Sequence, residues 1–244
     1  MKHDSSQSHS LSVLIPTLDE AAWIAHSVRC ARASLRAADV DGEVIVCDGG
    51  SQDATVVEAR RFADRVVECA PGRPAQLNAG ARVAVGDVLV MLHADSLLTP
   101  RAVEAMVAAV ERGAVGGWFQ IDIIPDLQVG HRHLHLGWMA WGINLRTRLF
   151  RTATGDQCIF CRRDAFEAIG GVPDVPLMEG NLCARSLRGH GSIEILAPEL
   201  RISGRRWEKN GVLRTMVFMY GIRAAHRAGV SEDVLARVWR GWSR

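Results

Sequence analysis

The sequence predicts an α/β fold: a mostly parallel sheet flanked by helices, with further helices at the carboxyl end. Short apolar segments alternate with stretches of helical periodicity, the pattern of βαβ units. Acidic residues follow three of these segments directly: Asp19, Asp48 and Asp95. Because ligands bind beyond the carboxyl ends of parallel strands, the polar groups gathered there predict a binding site at one edge of the sheet.

The first half of the chain supplies the regular part of this pattern. Its predicted strands are the apolar run of LSVLIPTLDE, which ends at Pro16, then EVIVC before Asp48, RVVECA, DVLVMLHADS ending in His93-Ala94-Asp95, and GGWFQIDI. Helices are predicted at residues 21–38, from about Asp53, within GRPAQLNAGARVA, and at residues 100–112. The second half, from about Gly130, is less regular. It contains a Trp- and Arg-rich helix (GWMAWGINLRTRLF), a GDQ loop, the strand-like QCIFC, a short helix after Met178 and two C-terminal helices.

The domain organisation follows from length and composition. Residues 1–10 are predicted to be a disordered tail, and residues 11–244 one domain with halves at 11–128 and 129–244. With 48% hydrophobic and 23% charged residues, the composition is typical of a folded soluble protein. The pattern shows neither an internal repeat nor a linker that would mark a second domain.

Charge and cysteine content limit which binding partners and which cellular compartment are expected. A net charge of +2, from 29 basic and 27 acidic residues, gives no support to nucleic-acid binding. Basic residues concentrate in 201–244, which suits anionic phosphates or an acidic membrane surface. Several of the six cysteines lie in apolar runs, and the N-terminus lacks an apolar signal segment, so a cytoplasmic protein is expected.

Three carboxylates are the first candidate site residues. Asp48 follows a buried strand and could accept hydrogen bonds from a nucleotide, although Asp48 and Ser51 could equally cap the next helix. Asp53 is expected to be a cap first and a ligand contact second. Asp95 ends a buried apolar strand, where a carboxylate is costly unless it is paired, open to a cleft or bound to a metal. A divalent cation bridging a diphosphate would use such an oxygen.

Four segments, taken in order, resemble the family 2 inverting glycosyltransferases of the GT-A fold. They are SVLIPTLDE, VIVCDGGSQDAT, GRPAQLNAGARVAVGDVLVMLHADS and GDQCIFCRRDAFEAIGG. Within that family, the chain resembles the small bacterial branch labelled arsenosugar-biosynthesis-type or radical-SAM/selenodomain-associated. The resemblance implies a single GT-A domain that moves a sugar from a nucleoside diphosphate sugar with inversion. UDP-sugars are the commonest donors of similar proteins, and GDP- and dTDP-sugars stay open.

The resemblance also assigns roles by position. It makes 11–128 the nucleotide-sugar half and 129–244 the acceptor half. The expected donor-binding residues are Pro16, Thr17, Asp19, Glu20, Asp48, Asp53, Arg73, Asn78, Asp95 and Gly155. His93 and Asp95 stand where the family carries its metal-binding Asp-x-Asp, and Asp156 and Gln157 match a loop near the transferred sugar and the acceptor.

The sequence departs from the family pattern at two positions. His93 replaces the first carboxylate of Asp-x-Asp, which makes Mn²⁺ or weak metal dependence more plausible than strict use of Mg²⁺. Gly180 stands where the family carries an Asp that acts as general base. Three interpretations stay open: Glu179 takes the proton instead, the acceptor is already ionised, or catalysis has been lost.

The segment Arg205-Arg206-Trp207 is a further candidate on the donor side. Two adjacent guanidinium groups are planar, bidentate donors for phosphate oxygens, and fixed cations stabilise a departing diphosphate. The alternative is that both arginines belong to a solvated basic face.

The expected function is therefore transfer to an unidentified small-molecule or lipid acceptor. One alternative is a non-catalytic nucleotide-sugar-binding protein that has lost its base, and another is a nucleotidyltransferase. The C-terminal helices mix apolar residues with Arg and His, so they could contact the inner face of a membrane. Packing against the core or a second subunit is the commoner fate of such helices.

Overall fold

A mixed eight-stranded sheet forms the centre of the computed structural model, which describes residues 9–124, 136–203 and 211–243. The strands are β1 (Leu11–Thr17), β2 (Gly42–Asp48), β3 (Arg65–Glu68), β4 (Val88–Met91), β5 (Ser96–Leu97), β6 (Gly116–Ile124), β7 (Ile159–Arg162) and β8 (Ile193–Ser203). Their spatial order is β3-β2-β1-β4-β7-β6-β8-β5. Parallel pairing joins β3, β2, β1 and β4, and also β6 with β8, whereas β7 and β5 pair antiparallel to their neighbours. The predicted α/β fold with a mostly parallel sheet is confirmed.

Helices cover both faces of this sheet. They are α1 (Ile24–Ala37), α2 (Thr55–Arg60), α3 (Arg73–Val83), α4 (Pro100–Glu111), α5 (Leu136–Phe150), α6 (Arg163–Ala168), α7 (Glu179–His190), α8 (Val212–Arg227) and α9 (Glu232–Ser243). A 3₁₀ turn at Gly155–Gln157 precedes β7. The helix predicted for residues 100–112 matches α4, whose N-cap Thr99 accepts a hydrogen bond from the Ala102 amide. The helix predicted from residue 21 begins later, because residues 21–23 form a turn.

Strand β1 is buried on both sides, which explains its nearly continuous apolar sequence. Leu11, Val13 and Ile15 belong to the core cluster beneath α1 and α4, and Leu14 belongs to the cluster beneath α3. Full burial of each such side chain stabilises the fold by about 1.5–3 kcal/mol. The two clusters hold the carboxyl ends of β1, β2 and β4 in fixed relation, with Thr17 in register with Asp48.

Strand β8 is the main element that the sequence does not predict. The segment IEILAPELRIS contains a proline, and proline within an apolar run argues against a strand. In the structure, β8 pairs with β6, but the register moves from Phe119–Leu196 to Ile121–Leu200. Residues 197–199 therefore form a bulge, where the missing amide hydrogen of Pro198 costs no ladder hydrogen bond.

The amino end of the domain is tied to β4 before β1 begins. The Ser10 amide and hydroxyl both donate to Asp87 Oδ2, at 2.9 and 2.8 Å, so Ser10 is held rather than part of a free tail. Residues 1–8 and the predicted boundary at 128/129 lie outside the described residues. In the described part of the chain, every helix is too short or too polar to span a membrane.

Candidate active site

Asp48 ends β2 and organises the loop that follows. Its side chain is buried and accepts hydrogen bonds from the Gly50 and Ser51 amides at 2.9 Å each, and from the Ser51 hydroxyl. The Thr17 hydroxyl at the end of β1 donates to the same carboxylate at 3.3 Å. Asp48 does not cap α2, whose N-cap is Ala54. It holds the β2 loop in one conformation instead.

Asp19 and Asp53 join the loops after β1 and β2. Asp19 Oδ1 accepts from the Gln52 amide at 2.8 Å, and Asp53 Oδ2 accepts from the Ala21 amide at 3.1 Å. Asp19 has φ of 53°, a left-handed conformation that an L-residue adopts at a cost. The Glu20 amide adds a bond to the Thr55 hydroxyl at 2.8 Å. These residues, which were expected to bind the donor substrate, therefore hold the two loops together through hydrogen bonds.

Asp53 is not the N-cap of α2, which is Ala54, but it bonds the first residue of that helix. Its Oδ1 accepts from the Thr55 amide at 2.9 Å and from the Thr55 hydroxyl. The hydroxyl bond holds the pKa of this carboxyl below its usual range, and the Thr55 and Ala21 amide bonds add to the effect.

Gln76 is a buried brace that the sequence analysis missed. Its Nε2 donates to the Thr17 carbonyl at 2.6 Å and to the Cys47 carbonyl at 2.8 Å. These two bonds connect α3 to the ends of β1 and β2. Gly49 approaches the same amide so closely that an added Cβ would lie 3.0 Å from Nε2. The sequence did contain a signal for this role, because Gln76 is a polar residue on the buried face of a predicted helix next to two strand ends.

An open cleft of about 1000 Å³, part of it solvent space, lies beyond these loops. Its donor-side wall contains Arg73 at the start of α3, together with His93 and Asp95 after β4. The opposite wall contains residues 154–156 of the 3₁₀ turn and residues 177–181 at the start of α7. Six sequence-predicted residues therefore share one cavity: Arg73, His93, Asp95, Gly155, Asp156 and Glu179. Thr17, Asp19, Asp48 and Asp53 are not among the described lining residues.

Arg73 and Glu179 form an ion pair across the cleft. The distance from Arg73 Nη1 to Glu179 Oε1 is 3.3 Å, and the Glu179 side chain is 11% exposed. Met178, just before α7, has φ of 73°, a strained conformation for a residue with a Cβ. This turn places Glu179 at the first position of α7, facing α3.

Two glycines allow the cleft walls to approach each other. An added Cβ on Gly155 would lie 3.0 Å from His93 Nε2. An added Cβ on Gly180 would lie 2.7 Å from the Gly155 backbone nitrogen, too close for any side chain. The carboxylate that the family carries at this position cannot be placed here unless the turn moves.

Two predicted site residues, Gln157 and Asn78, hydrogen-bond other parts of the chain in the structure. Gln157 is fully buried, and its Nε2 donates to the Phe119 carbonyl and the Thr147 hydroxyl at 2.9 Å each. Asn78 exchanges two hydrogen bonds with the Val172 backbone, both at 2.9 Å. Pro16 lies within β1 and lines a small cavity that also contains Arg73 and His93.

The C-terminal helices complete the cleft, a contribution that sequence reasoning did not predict. Met219, Ile222 and Arg223 of α8 and Trp239 of α9 all line it. The ring of Phe218 stacks on Trp242 with a centroid distance of 4.4 Å, which joins the two helices. Arg205, Arg206 and Trp207 lie outside the described residues, although Ser203 at the end of β8 lines the cleft.

The cleft offers a divalent cation few protein ligands. Within residues 9–124, 136–203 and 211–243, no group of three His, Cys, Asp or Glu side chains converges as a metal cluster. Asp95 and His93 both line the cleft, so a cation there would take its remaining ligands from a diphosphate and water, which is how Mg²⁺ is commonly bound. The two residues fit such a shared cation.

The cysteines do not extend this site. All six are free thiols. Burial raises the pKa of the Cys158 and Cys183 thiols to about 12, which disfavours the thiolate that metal binding or nucleophilic chemistry needs.

A mixed α/β sheet with a cleft beyond the carboxyl ends of its parallel strands is the architecture of an α/β ligand-binding domain, and nucleotides are common ligands at that edge. Comparison with known families makes this specific: the chain belongs to glycosyl transferase family 2, whose model matches residues 12–170. A curated relative is the dodecaprenyl-phosphate galacturonate synthase of Rhizobium johnstonii, 30% identical over 118 residues. The match covers 45% of this chain and 35% of that protein.

Solved structures show the same fold. The mannosyltransferase PcManGT of Pyrobaculum calidifontis, in complex with GDP-Man and Mn²⁺, superposes with a TM-score of 0.62 at 21% identity, covering 89% of this chain and 65% of that one. Glucosyl-3-phosphoglycerate synthase from Mycobacterium tuberculosis, in complex with Mn²⁺, UDP and glucosyl-3-phosphoglycerate, gives 0.54 at 19% identity, covering 91% and 81%. The TarS 1-349 fragment of S. aureus with UDP-GlcNAc gives 0.57 at 16% identity, covering 80% and 58%. These likenesses establish the single GT-A-like domain.

Proposed function

We propose that this chain transfers a sugar from a nucleoside diphosphate sugar, with a UDP-sugar as the first candidate, to an acceptor with inversion. The observation that carries the proposal is the shared cleft. There the cation Arg73 and the metal candidates Asp95 and His93 face the carboxylates Glu179 and Asp156. Solved relatives of the same fold were captured with GDP-Man, UDP or UDP-GlcNAc, which supports a nucleotide-sugar donor.

In the proposed reaction, an acceptor oxygen attacks the anomeric carbon on the face opposite the diphosphate. The new carbon–oxygen bond forms as the bond to the β-phosphate oxygen breaks, and that oxygen keeps the electron pair. The proton of an acceptor hydroxyl passes to a carboxylate. We assign this role first to Glu179, which lines the cleft and whose position Arg73 fixes. Asp156 is the second candidate, because it lines the same cleft beside Gly180.

Positive charge on the donor side stabilises the departing diphosphate. Arg73 begins α3 and lines the cleft, so its guanidinium is available to the phosphate side of the donor. Asp95 and His93 would hold a Mn²⁺ or Mg²⁺ ion, which supplies charge stabilisation to the phosphate oxygens. Arg205, Arg206 and Trp207 are proposed to close over the diphosphate. Asp19, Asp48 and Asp53 are proposed to hold the loops that receive the base and ribose.

The acceptor is proposed to be a small molecule or a lipid phosphate. The curated relative's name includes a polyprenyl phosphate, which supports the lipid option. One face of α5 supports peripheral membrane contact, because Trp138, Trp141 and Leu149 are 75%, 61% and 67% exposed.

Membrane contact is tested by sedimentation with vesicles of phosphatidylcholine and phosphatidylglycerol. Wild-type protein should co-sediment, and Trp138→Ala/Trp141→Ala should stay in the supernatant, because indole rings anchor proteins at the lipid interface. If both remain soluble and light scattering gives a dimer that the double variant loses, the same face is a subunit interface.

Gly180 favours a second function, a non-catalytic nucleotide-sugar-binding protein. Transfer measurements separate the two. UDP-, GDP- and dTDP-sugars are each incubated with Mn²⁺ and candidate acceptors, nucleoside diphosphate release is followed, and the anomeric configuration of the product is read by NMR. The proposal expects release of one nucleoside diphosphate with an inverted product. Binding without release would support the non-catalytic function. In a separate incubation with a nucleoside triphosphate and a sugar 1-phosphate, release of pyrophosphate would identify a nucleotidyltransferase.

A further inference from the structure

A narrow side pocket opens from the cleft between α5, the 3₁₀ turn and α8. Its described lining residues are Met139, Gly142, Ile143, Arg146, Thr154, Asp156, Met216, Met219, Tyr220 and Arg223. Thr154, Asp156, Met219 and Arg223 also line the cleft, so the two cavities adjoin. Every described lining residue belongs to the acceptor half, and the loops after β1, β2 and β4 contribute none. The side pocket is therefore on the acceptor side of the site.

Arg146 lines this pocket and has one buried nitrogen without a partner in the part of the chain that the structure describes. Its Nη2 donates to Gln157 Oε1 at 3.3 Å, but its buried Nε has no hydrogen-bond partner among the described residues. Burial lowers the pKa of the guanidinium, and the nearby Asp156 charge only partly opposes that effect. A buried cation without a bonded carboxylate is costly, so a bound anionic oxygen would be stabilising here.

Asp156 is the complementary group. Its Oδ1 is buried and has no hydrogen-bond partner among the described residues, although it lies at the junction of the side pocket and the cleft. A carboxylate oxygen accepts hydrogen bonds only, so the missing partner is a donor such as a hydroxyl. Arg146 needs an acceptor and Asp156 needs a donor, and one ligand can supply both.

We propose that this junction binds the acceptor substrate through an anionic group, a phosphate or a carboxylate, that lies close to a hydroxyl. Arg146 and Arg223 donate to the anionic oxygens, and the hydroxyl donates to Asp156. The side pocket has room for roughly one water molecule, so a single oxygen enters it and the rest of the acceptor stays in the cleft. The methionines of α5 and α8 supply an adaptable apolar wall for its carbon skeleton. This inference rests on the proposed function, of which it names the acceptor class.

The test is calorimetry on protein saturated with whichever of UDP, GDP and dTDP binds most tightly, so that phosphate cannot occupy the donor site. The probes are inorganic phosphate, glycerol 1-phosphate, glycolate and neutral glycerol in solution, and dodecyl phosphate in phosphatidylcholine vesicles. We expect at least one anionic probe to bind about tenfold more tightly than glycerol, as a charge-assisted contact predicts. Binding in solution indicates a soluble acceptor, and binding only in vesicles indicates a lipid headgroup.

Arg146→Met and Arg223→Met should each weaken anion binding about tenfold while leaving nucleotide affinity unchanged. Arg148→Met is the matched control, because Arg148 is an exposed residue of the same helix outside both cavities, and it should bind like wild type. The unchanged nucleotide affinity shows that each variant is folded.

The proposal is overturned if no anionic probe is preferred over glycerol, or if Arg146→Met and Arg148→Met bind the anion equally. Either result would leave an ordered water as the partner of Arg146 and Asp156. Failure of wild-type protein to bind any nucleoside diphosphate would instead count against the proposed function, so the two failures are distinguishable.

Discussion

The loops after β1 and β2, on the proposed donor side, differ from the α5–α8 wall of the cleft, on the proposed acceptor side, in how their polar groups are satisfied. On the donor side, Asp19, Asp48 and Asp53 accept hydrogen bonds from neighbouring backbone amides, and Gln76 ties both strand ends to α3. On the acceptor side, the buried Arg146 Nε, Asp156 Oδ1 and Thr215 Oγ1 have no partner among the described residues. In those residues only one other buried side-chain atom, Trp118 Nε1, shares that condition.

Buried polar groups are normally paired, so the two atoms that line a cavity and are unpaired in the described part of the chain, Arg146 Nε and Asp156 Oδ1, indicate a place for a ligand. The polar groups of the loops after β1 and β2 find their hydrogen-bond partners within the chain, and these bonds hold each loop at the end of its strand. The acceptor side leaves bonds for the substrate to make. The difference predicts that changes to the side chains that hold the loops after β1 and β2 act mainly on stability, whereas changes to the ionisable side chains that line the cleft act mainly on substrate binding or turnover.

The largest expected effect is on turnover, at the acceptor wall. Glu179→Gln should lower kcat by about 100-fold or more, because removal of a general base costs that much. The amide still accepts a hydrogen bond from Arg73, so nucleotide affinity measured by calorimetry should stay close to wild type. Asp156→Asn is the paired variant. Full activity in Glu179→Gln together with loss in Asp156→Asn would transfer the role to Asp156.

Gln76→Leu tests the donor side and should act on stability. The change removes this donor from two buried carbonyls, of Thr17 and Cys47, at a cost of about 1–3 kcal/mol, since the Thr17 carbonyl still accepts from the Gly49 amide. Urea denaturation measures the loss, and residual kcat in the folded fraction should remain near wild type. A variant as stable as wild type would show that the brace is dispensable.

Gly180→Ala should destabilise the protein by about 1–3 kcal/mol, because its Cβ meets the Gly155 backbone and the turn must shift. Gly189→Ala is the matched control in the same helix: nothing lies within 4 Å of its added Cβ, and Ala is the better helix former. The control should be neutral or more stable by up to about 1 kcal/mol. Equal free energies of unfolding for the two variants would contradict the close approach of α7 and the 3₁₀ turn.

The smallest effect is pH-dependent and lies far from the cleft. Hydrogen bonds from the Ser10 amide and hydroxyl hold the pKa of Asp87 below its usual range. A depressed carboxyl pKa stabilises the fold above the unfolded pKa of about 3.9, and the contribution is lost as pH falls through the folded value. Asp87→Asn should therefore lower Tm slightly at pH 7 and leave it unchanged in acid, below both values. A Tm difference that persists at low pH would assign the effect to packing.

The sequence alone predicted most strands and helices in the first half of the fold, because β1, β2, β4 and α4 carry periodicity and capping signals within their own residues. The sequence alone did not predict β8. This strand pairs with β6 through a bulge around Pro198, and the pairing depends on a partner strand that is distant in sequence. The tail boundary also differed, since Ser10 is held by Asp87, a residue remote in sequence.

Sequence motifs located some residues of the candidate site but not others. Asp95, Arg73 and Glu179 follow strand ends or begin helices, so family motifs place them in one cavity. Gln157 and Asn78 match motif positions as well, yet their amides bond backbone groups inside the fold. Arg146, Met219 and Trp239 carry no local signal, because a residue that faces a cavity between helices has the same spacing as one that faces the core.

The most direct test of the account is calorimetric titration of UDP, GDP and dTDP into wild-type protein and Asp95→Asn, with Mn²⁺ and with EDTA. The account predicts that one nucleoside diphosphate binds, more tightly with Mn²⁺. It also predicts that Asp95→Asn loses about tenfold or more of that affinity, since a metal-side carboxylate contact exceeds 1.4 kcal/mol. Absence of binding by all three to folded wild-type protein would contradict the donor site. Equal binding by Asp95→Asn would remove Asp95 from it.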